Sequence, residues 1–325
     1  MRLSVHELVN PLGAPAKAVA WAWETALGLL GRNEQEPAPD REWKPGRERA
    51  YDAYKDDDGK PRFAHSAVLL WDVLGVKAMT QSDDALRYLR ELRIALDVAR
   101  DRAGTEDARL PHRSTWFTDN VVLGTPVLGH PDNVEIALGT TQVNVAYMML
   151  HMLDAGFLAR GAITFGPHYM DESFVFGPAL TEAAVLEDTT TWPRVVLSAE
   201  AVELSRTMAE AWYAEPRLSV HGRILACDKH GSVFVDHLGV WLEEEDDWEL
   251  AQYALGRHKQ TIEASLGTLK RGSAAWEKWK WLADFHNYSM TKRIKNPAKF
   301  HIKAGQARHR FHSFGSTLRN TPRPR

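Results

Sequence analysis

The sequence predicts an α+β fold in which helices pack over a single sheet. Short apolar runs of strand length alternate with longer amphipathic stretches, and two pairs of strand-like runs are separated by residues that favour tight turns. Repeats of strand and helix that feed one sheet are typical of this class. With 325 residues, of which 44% are hydrophobic and 26% charged, the chain can bury a full core.

The composition limits the classes of partner. The net charge is −3, so no overall positive field draws the chain to nucleic acid or to a membrane, and we expect it to bind neither. Cys227 is the single cysteine, which excludes an internal disulfide and fits a reducing compartment. No apolar run is long enough to span a bilayer, and no secretion signal is recognisable. We therefore expect a cytoplasmic protein.

The chain divides into three predicted parts. Residues 1–64 form an N-terminal extension with a predicted helix at 17–30 and a proline-containing loop at 32–40. Residues 65–240 form the central domain, and residues 241–325 form a helical extension that ends in a basic tail, which we expect to be solvated. The first helix carries few basic residues, so docking on the core or on a second subunit is favoured over membrane contact.

Residues 67–77 (AVLLWDVLGVK) are the first predicted strand and its exit. A short, continuous apolar run predicts a strand that is buried on both faces, and Gly75 allows the chain to turn into a helix. Asp72 ends the first part of this run. A lone carboxylate there is costly to bury unless it is paired or holds a metal.

A second acid follows a similar pattern. Residues 115–123 (TWFTDNVVL) indicate two short apolar runs joined by a tight turn at Asp119 and Asn120. Two carboxylates that neighbouring strands bring to one place form the oxygen-rich, anionic pocket that Mg²⁺ or Mn²⁺ prefers. The alternative is that both acids merely cap turns.

The remaining elements follow in order along the chain. The helix at 82–102 is expected to bury Leu86, Leu89, Leu92 and Leu96. Further helices are predicted at 133–154, after the strand near Phe174, and at 199–212, 248–270 and 274–290. Further strands are predicted at 159–166 and 193–198, with a hairpin at 222–238. Tryptophans of the last helix are expected to pack in a core or a subunit contact rather than to stack on a base.

Several common catalytic motifs are missing. Residues 124–129 (GTPVLG) have the spacing of a P-loop, but His130 and Pro131 replace the required lysine and hydroxyl residue. No GxGxxG follows a strand, and no GxSxG, CxxC or HExxH is present. Chemistry that depends on a protein nucleophile therefore has no support in the sequence.

Four segments, read in order, resemble the class III nucleotidyl cyclases, and most of all the bacterial pyrimidine cyclases of the Pycsar anti-phage systems. They are LLWDVLGVK, WFTDNVVL, ARGAITFG, and VFGPALTEAAVLE followed by WPRVVLS, and together they cover roughly residues 65–240. The segment WLADFHNY resembles the helical tail of the same bacterial group. The resemblance implies a ferredoxin-like catalytic core, with an antiparallel-rich sheet and helices packed on it.

The resemblance also implies a site with two divalent metal ions, Mg²⁺ or Mn²⁺. Asp72 and Asp119 would hold the metals, with the backbone carbonyl of Val73 as a further ligand. The triphosphate would meet backbone amides at the turn into the following helix, at Leu74, Gly75 and Lys77.

The base pocket that the resemblance implies favours a pyrimidine. Arg113 lies six residues before Asp119, where purine cyclases carry a base-reading lysine, and Phe174 falls at the other base-reading position. A bulky ring should narrow the pocket. UTP is favoured over CTP because producers of cyclic UMP are common in the family. A purine cyclase, which would need polar base-reading groups, is the alternative.

Two positions depart from the family pattern. The Asn and Arg that stabilise the transition state in purine cyclases fall on Thr181 and Val185, and neither side chain supplies a guanidinium. Thr181 is still expected to contact the substrate. Another cation would be needed, and the candidates are Arg113, Arg160, Arg194 and Lys229. The same departure leaves open a catalytically inactive module that binds a nucleotide and signals by changing its partner contacts.

The resemblance implies partners as well. Family members place the site between two antiparallel subunits, so one set of motifs per chain implies a homodimer with two sites. The product, cyclic UMP or cyclic CMP made during phage infection, would activate a separate effector. A palm-type nucleotidyltransferase also brings two acids together, but it would need a template or primer surface, which only the basic tail could offer.

Overall fold

The computed structural model of the protein describes residues 52–102, 113–117, 119–129, 133–242 and 248–319. The predicted helix at 17–30 and the loop at 32–40 lie outside these residues. None of the described helices has the length and apolar content that crossing a bilayer requires.

The described residues form one nine-stranded sheet. Its strands are β1 (Ala64–Val73), β2 (Arg113–Phe117), β3 (Asn120–Pro126), β4 (Ala159–Met170), β5 (Val175–Phe176), β6 (Val195–Leu197), β7 (Leu225–Asp228), β8 (Val233–Val235) and β9 (Phe311–Ser313). They lie in the order β2-β3-β1-β4-β6-β8-β7-β9, and β5 pairs with β4. The pair β4 and β6 is parallel and the other pairs are antiparallel. The predicted α+β class, with an antiparallel-rich sheet, is confirmed.

Helices connect most of these strands. They are α1 (Val76–Thr80), α2 (Ala85–Arg102), α3 (Val134–Asp154), α4 (Pro178–Thr189), α5 (Ala199–Trp212), α6 (Val220–Ile224), α7 (Gly239–Leu242), α8 (Trp248–Thr268) and α9 (Ala274–Arg293). The helices α1 and α2 lie between β1 and β2, and α3 lies between β3 and β4. The first four strands therefore have the β-α-β-β-α-β connectivity, with sheet order 2-3-1-4, of ferredoxin-like units.

Strand β1 is central, as its continuous apolar run predicts. It pairs with β3 on one side and β4 on the other, and Leu69 and Trp71 have no exposed surface. The chain leaves β1 through Gly75, whose φ of 92° lies in the left-handed region that favours glycine. The predicted turn from strand to helix is therefore confirmed.

The hairpin predicted around Asp119 is confirmed. Strands β2 and β3 pair antiparallel, with Phe117 opposite Asn120. The helix start predicted at Ser198 is also confirmed, because the Ser198 hydroxyl accepts a hydrogen bond from the Ala201 amide.

The buried face of α2 differs from the prediction. The residues that face the core are Tyr88, Leu92, Ala95, Leu96 and Ala99, which recur every three to four positions. Leu86 is 59% exposed and Leu89 is 63% exposed, so the expectation that they are buried is wrong. Leu86 lies on the side of α2 opposite Ala95, whereas Leu89 lies beside Leu96 around the helix, at the edge of the buried stripe and toward its N-terminal end. The small alanines supply the rest of the stripe.

The C-terminal part packs on the same sheet. Trp276, Trp279 and Trp281 of α9 are buried, which confirms the expectation that they are packing residues. The segment predicted to be a solvated basic tail instead supplies β9, which pairs with β7, and Phe314 after it has no exposed surface. Apolar side chains at Phe311 and Phe314 explain the difference, because their burial outweighs the basic character of the surrounding chain.

Candidate active site

The two acids singled out in the sequence lie at the same end of β1 and β3. Asp72 is opposite Asn120 in the antiparallel register, so the residue before β3 comes beside the last residues of β1. The Val73 amide donates a hydrogen bond of 3.2 Å to the Asp119 carbonyl, and the Asn120 side-chain amide donates one of 3.5 Å to the Asp119 carboxylate. The hairpin turn thus presents Asp119 next to Asp72.

The two carboxylates are close enough to affect one another. The pKa of Asp72 is raised, first by burial and then by the charge of Asp119, while Arg160 and Lys278 oppose the rise. The Asp72 side chain is 21% exposed. Repulsion between two half-buried carboxylates is relieved when a cation lies between them.

Arg160 of β4 stands opposite Asp72 in the sheet register. Its Nε atom lies 3.7 Å from the Asp72 carboxylate and 2.6 Å from the Glu187 carboxylate. Its Nη1 atom donates hydrogen bonds to the backbone carbonyls of Asp188 and Thr190, at 3.3 and 3.0 Å. These carbonyls lie at the C-terminal end of α4, where a cation is favourable. Arg160 therefore links the acid pair to the end of α4.

Glu187 is a third carboxylate at this site. Burial raises its pKa; Arg160 opposes the rise, and the charges of Asp72 and Asp188 add to it. Among the described residues, however, no three acidic, histidine or cysteine side chains converge as a metal cage would require. Glu187 is engaged by Arg160, which leaves Asp72 and Asp119 as the pair with metal-ligand chemistry.

Lys278 of α9 is a further charged group whose charge acts on Asp72 at the end of β1. Burial lowers its pKa, the charge of Arg160 lowers it further, and the charge of Asp72 opposes both. A residue of the C-terminal extension thus reaches the electrostatic environment of the acid pair.

The acid pair fits a hard divalent cation. Carboxylate oxygens are the ligands that Mg²⁺ and Mn²⁺ prefer, and Mg²⁺ is commonly held by one or two carboxylates together with substrate phosphates. The repulsion that raises the pKa of Asp72 is what such a cation would relieve. Val73 precedes the turn. Its amide donates a hydrogen bond to the Asp119 carbonyl, and the Val73 carbonyl takes no part in that bond.

In the turn predicted to meet the triphosphate, one backbone amide is already used within the protein. The Leu74 amide donates a hydrogen bond of 2.8 Å to the Leu158 carbonyl, so this amide already has a partner. Gly75 and Lys77 lie at the start of α1, and both are exposed. Any contact between this turn and a phosphate would therefore come from Gly75 onward.

The residues predicted to read the base are not close to Asp72 in the same chain. Strand β4 runs antiparallel to β1, and Phe174 follows its far end. Phe174 is 55% exposed and stacks on Phe176, which stacks on Phe63 with ring centroids 6.1 Å apart. The backbone of Arg113 pairs with Gly124, and its side chain lies outside the described residues.

The remaining predicted residues have other contacts. The Thr181 hydroxyl donates to the carbonyl of Gly177, the N-cap residue of α4, and Val185 is 62% exposed. Arg194 forms a buried ion pair of 2.8 Å with Asp228, and Lys229 is exposed in the turn between β7 and β8. Of the three proposed replacement cations whose side chains are described, Arg160 is the one paired with Asp72.

Sequence reasoning missed Glu187 and Lys278. Glu187 closes the segment VFGPALTEAAVLE, and its spacing of ten residues from Gly177 puts it near the end of the helix, where it could have been paired with a cation. Lys278 lies between tryptophans in the segment WEKWKW, and a lysine set among buried aromatic residues is a signal that could have marked it.

No family model matches the chain, and no curated protein matches it. Similar solved structures include the adenylyl cyclase CyaB from P. aeruginosa, with 12% identity over 54% of this chain and 94% of that chain and a TM-score of 0.41. The guanylyl cyclase domain of the RhoGC fusion protein from Blastocladiella emersonii is 14% identical to this chain, and the match covers 54% of this chain and 95% of that domain. Its TM-score is 0.36. A class III adenylyl cyclase-like ATP-binding protein from Pseudomonas aeruginosa is 9% identical to this chain, and the match covers 92% of this chain and 83% of that protein. Its TM-score is 0.34. Likenesses of this degree carry no conclusion about activity.

Proposed function

We propose that this protein is a nucleotidyl cyclase that converts UTP, or else CTP, to the 3′,5′-cyclic monophosphate and pyrophosphate. The observation that carries the proposal is the juxtaposition of Asp72 and Asp119 at one end of the central strands, beside Arg160. The segments that contain the two acids are the ones that resemble the class III cyclases. An ordered pair of acids on a sheet of ferredoxin-like order supports this chemistry better than isolated turn caps.

The proposed reaction makes one bond and breaks one. The ribose 3′-oxygen bonds to the α-phosphorus, the bond from the α-phosphorus to the oxygen that leads to the β-phosphorus breaks, and the hydroxyl proton passes to solvent. Divalent ions held by Asp72, Asp119 and the Val73 carbonyl would acidify the hydroxyl and offset the charge of the leaving pyrophosphate. Such displacements need positioning and electrostatics rather than a protein nucleophile.

Arg160 positions the acid pair in this proposal. Its guanidinium is held by Glu187 and by the carbonyls at the end of α4, so it is a fixed positive charge beside Asp72. A fixed cation keeps a half-buried carboxylate ionised and oriented before the substrate arrives.

We further propose a homodimer in which each site uses both chains. Phe174 lies beyond one end of β1 and Asp72 near the other, and the ten residues of β1 extend about 33 Å at ~3.3 Å per residue. If Phe174 reads the base, as the resemblance implies, it must do so for the site of a second copy. The exposed ring of Phe174 supports this arrangement, because it is available to a partner.

The bulk of Phe174 favours a pyrimidine over a purine. A cyclic pyrimidine nucleotide of this kind would act on a separate effector in anti-phage defence, and the proposed site of action is the cytoplasm. A second candidate function is a nucleotide-binding module without turnover. It is favoured by Val185, which is exposed and apolar where active purine cyclases carry an arginine, and by the Thr181 hydroxyl, which bonds within its own helix.

One experiment separates these functions. The purified protein is incubated with each of the four ribonucleoside triphosphates and Mn²⁺, and the products are identified by mass spectrometry. The proposal predicts cyclic UMP or cyclic CMP, and a purine product would identify the purine cyclase alternative. Binding of a nucleotide without any cyclic product would support the inactive module and refute the cyclase.

A further inference from the structure

The C-terminal helix α9 shares a hydrophobic cluster with the end of β1 that carries the acid pair. Leu74 of β1's exit and Leu186 of α4 pack against the same hydrophobic cluster as Trp279, Trp281 and Leu282 of α9. Leu74 is two residues from Asp72, and Leu186 adjoins Glu187. The cluster therefore fixes α9 relative to the charged groups.

A direct aromatic contact strengthens this docking. The rings of Trp192 and Trp281 stack with centroids 6.4 Å apart and planes 9° apart. Trp192 lies two residues after Thr190, whose carbonyl accepts a hydrogen bond from Arg160. The same short connection thus holds both the guanidinium of Arg160 and the buried face of α9.

Lys278 is the cation that α9 brings to this place. It lies between Trp276 and Trp279, and its charge acts on Asp72 and Arg160. Within the part of the chain that the structure describes, its ammonium group has no hydrogen bond and no ion pair within 4.0 Å. Two residues on, Lys280 forms a buried ion pair with Asp284.

A half-buried ammonium that no anion contacts directly is unfavourable, because burial removes water and the charge of Asp72 offsets that loss only in part. Arg160 is held by Glu187 and two carbonyls, whereas Lys278 has donors to spare. An ammonium is a point charge that suits phosphate oxygens. Position 185, where purine cyclases carry their arginine, offers only an exposed valine.

We propose that Lys278 binds the triphosphate of the nucleotide held at the Asp72 and Asp119 site, so that the C-terminal extension supplies a substrate contact that α4 lacks. The inference rests on the proposed nucleotide site and adds a residue to it. Lys278 contacts phosphate oxygens directly, and its effect therefore grows with the number of phosphates on the ligand.

The test measures binding without turnover. Calorimetric titration uses 3′-deoxyuridine triphosphate with Mg²⁺, because this analogue lacks the attacking hydroxyl; the other three 3′-deoxy triphosphates and 3′-deoxyuridine monophosphate are titrated in parallel. Lys278→Gln is expected to weaken triphosphate binding roughly tenfold or more, as loss of a charge-assisted contact does. Binding of the monophosphate should change less than twofold, and Lys278→Arg should recover most of the affinity.

Lys292→Gln is the matched control, because Lys292 is an exposed lysine on the same helix. It should leave all affinities unchanged, and thermal unfolding should show that each variant is folded. The inference is overturned if Lys278→Gln binds the triphosphate as the wild type does, or if it weakens mono- and triphosphate equally. Wild-type protein that binds the analogue but forms no cyclic product from any of the four ribonucleoside triphosphates overturns only the cyclase activity. Wild-type protein that binds none of the four analogues overturns both proposals.

Discussion

A hydrogen-bonded chain of three buried histidines makes the stability of this protein sensitive to acid. The Nε2 atoms of His237 and His258 are 3.2 Å apart, and the Nδ1 atoms of His258 and His286 are 2.9 Å apart. The Nε2 atom of His286 donates to the Phe300 carbonyl at 2.9 Å. Because a carbonyl only accepts, His286 must carry its proton on Nε2, and each further ring can donate to the next. All three rings satisfy these bonds while neutral.

Burial is the main reason that these histidines resist protonation. It lowers the pKa of His237 and of His286 to about 4 and holds the pKa of His258 well below its usual value. The neighbouring charges are Asp236, which opposes the shift at His237, and Lys259 and His301, which add to it at His286. In the unfolded chain a histidine titrates near ~6.5.

The sign of the pH dependence follows from these directions. Below about pH 6.5 the unfolded chain binds protons that the folded protein refuses, so the free energy of unfolding falls as the pH falls toward 4. For one histidine with a folded pKa of about 4, lowering the pH from 7 to 5 costs about 2 kcal/mol. Two such histidines would cost about twice that.

Urea unfolding at pH 7 and at pH 5 measures this loss. His258→Gln removes the central ring, so it should be less stable than the wild type at pH 7 but lose about 2 kcal/mol less on acidification. His312→Gln, at an exposed histidine of β9, is the control and should match the wild type. The reasoning is refuted if the wild type is equally stable at both values, or if His258→Gln loses as much as the wild type does.

Four further predictions concern the proposed site and the turn beside it. Asp72→Ala should abolish cyclic nucleotide formation in the mass-spectrometric assay without lowering the melting temperature, because removing one of two repelling carboxylates does not destabilise the fold. Mixing Asp72→Ala with Phe174→Ala protein under subunit exchange should restore activity above the sum of the two separate variants. Half of the dimers would contain one chain of each variant and therefore one intact site out of two, which gives about a quarter of the wild-type activity. Glu187→Gln should lower the free energy of unfolding by about 1–3 kcal/mol in urea titration, because it replaces the carboxylate that pairs with Arg160 by a neutral amide. Gly75→Ala should lower it by about 1–2 kcal/mol, since an alanine at φ 92° is strained.

Controls and contrary outcomes are specific to each case. Asp83→Ala removes an exposed carboxylate and should leave turnover unchanged. Full turnover by Asp72→Ala would remove its metal role, and a mixture no more active than its parts would argue against sites shared between chains. A fully stable Glu187→Gln would mean that its ion pair is only incidental. Unchanged stability of Gly75→Ala would contradict the strain argument, since the nearest atom to a new Cβ is 3.6 Å away and no clash interferes.

The elements that sequence reasoning predicted well are those with a strong local signal. The apolar run through Trp71, the tight turn at Asp119 and the hydroxyl cap at Ser198 each depend on residues close in sequence, and each is present. The meeting of Asp72 with Asp119 was expected because adjacent antiparallel strands bring such ends together.

The features that were missed depend on distant packing. Glu187 and Lys278 reach the site only because α4 and α9 dock at the end of β1, and no local pattern specifies that docking. The error on α2 has a related cause. Leucines at 86 and 89 satisfy a helical pattern, but packing against α3 selects the face on which alanines allow close approach.

The pairing of β9 with β7 has a consequence during synthesis. About 80 residues separate the end of β7 from the start of β9, and at 5–20 residues per second the ribosome needs roughly 4 to 16 s to make them. Throughout that interval the outer backbone groups of Leu225–Asp228 have no neighbouring strand, in a run that includes Leu225 and Ala226. Nascent chains on crowded ribosomes would then be able to join edge to edge. The yield of active protein should therefore improve when the protein is synthesised in the presence of excess chaperones that shield open strand edges.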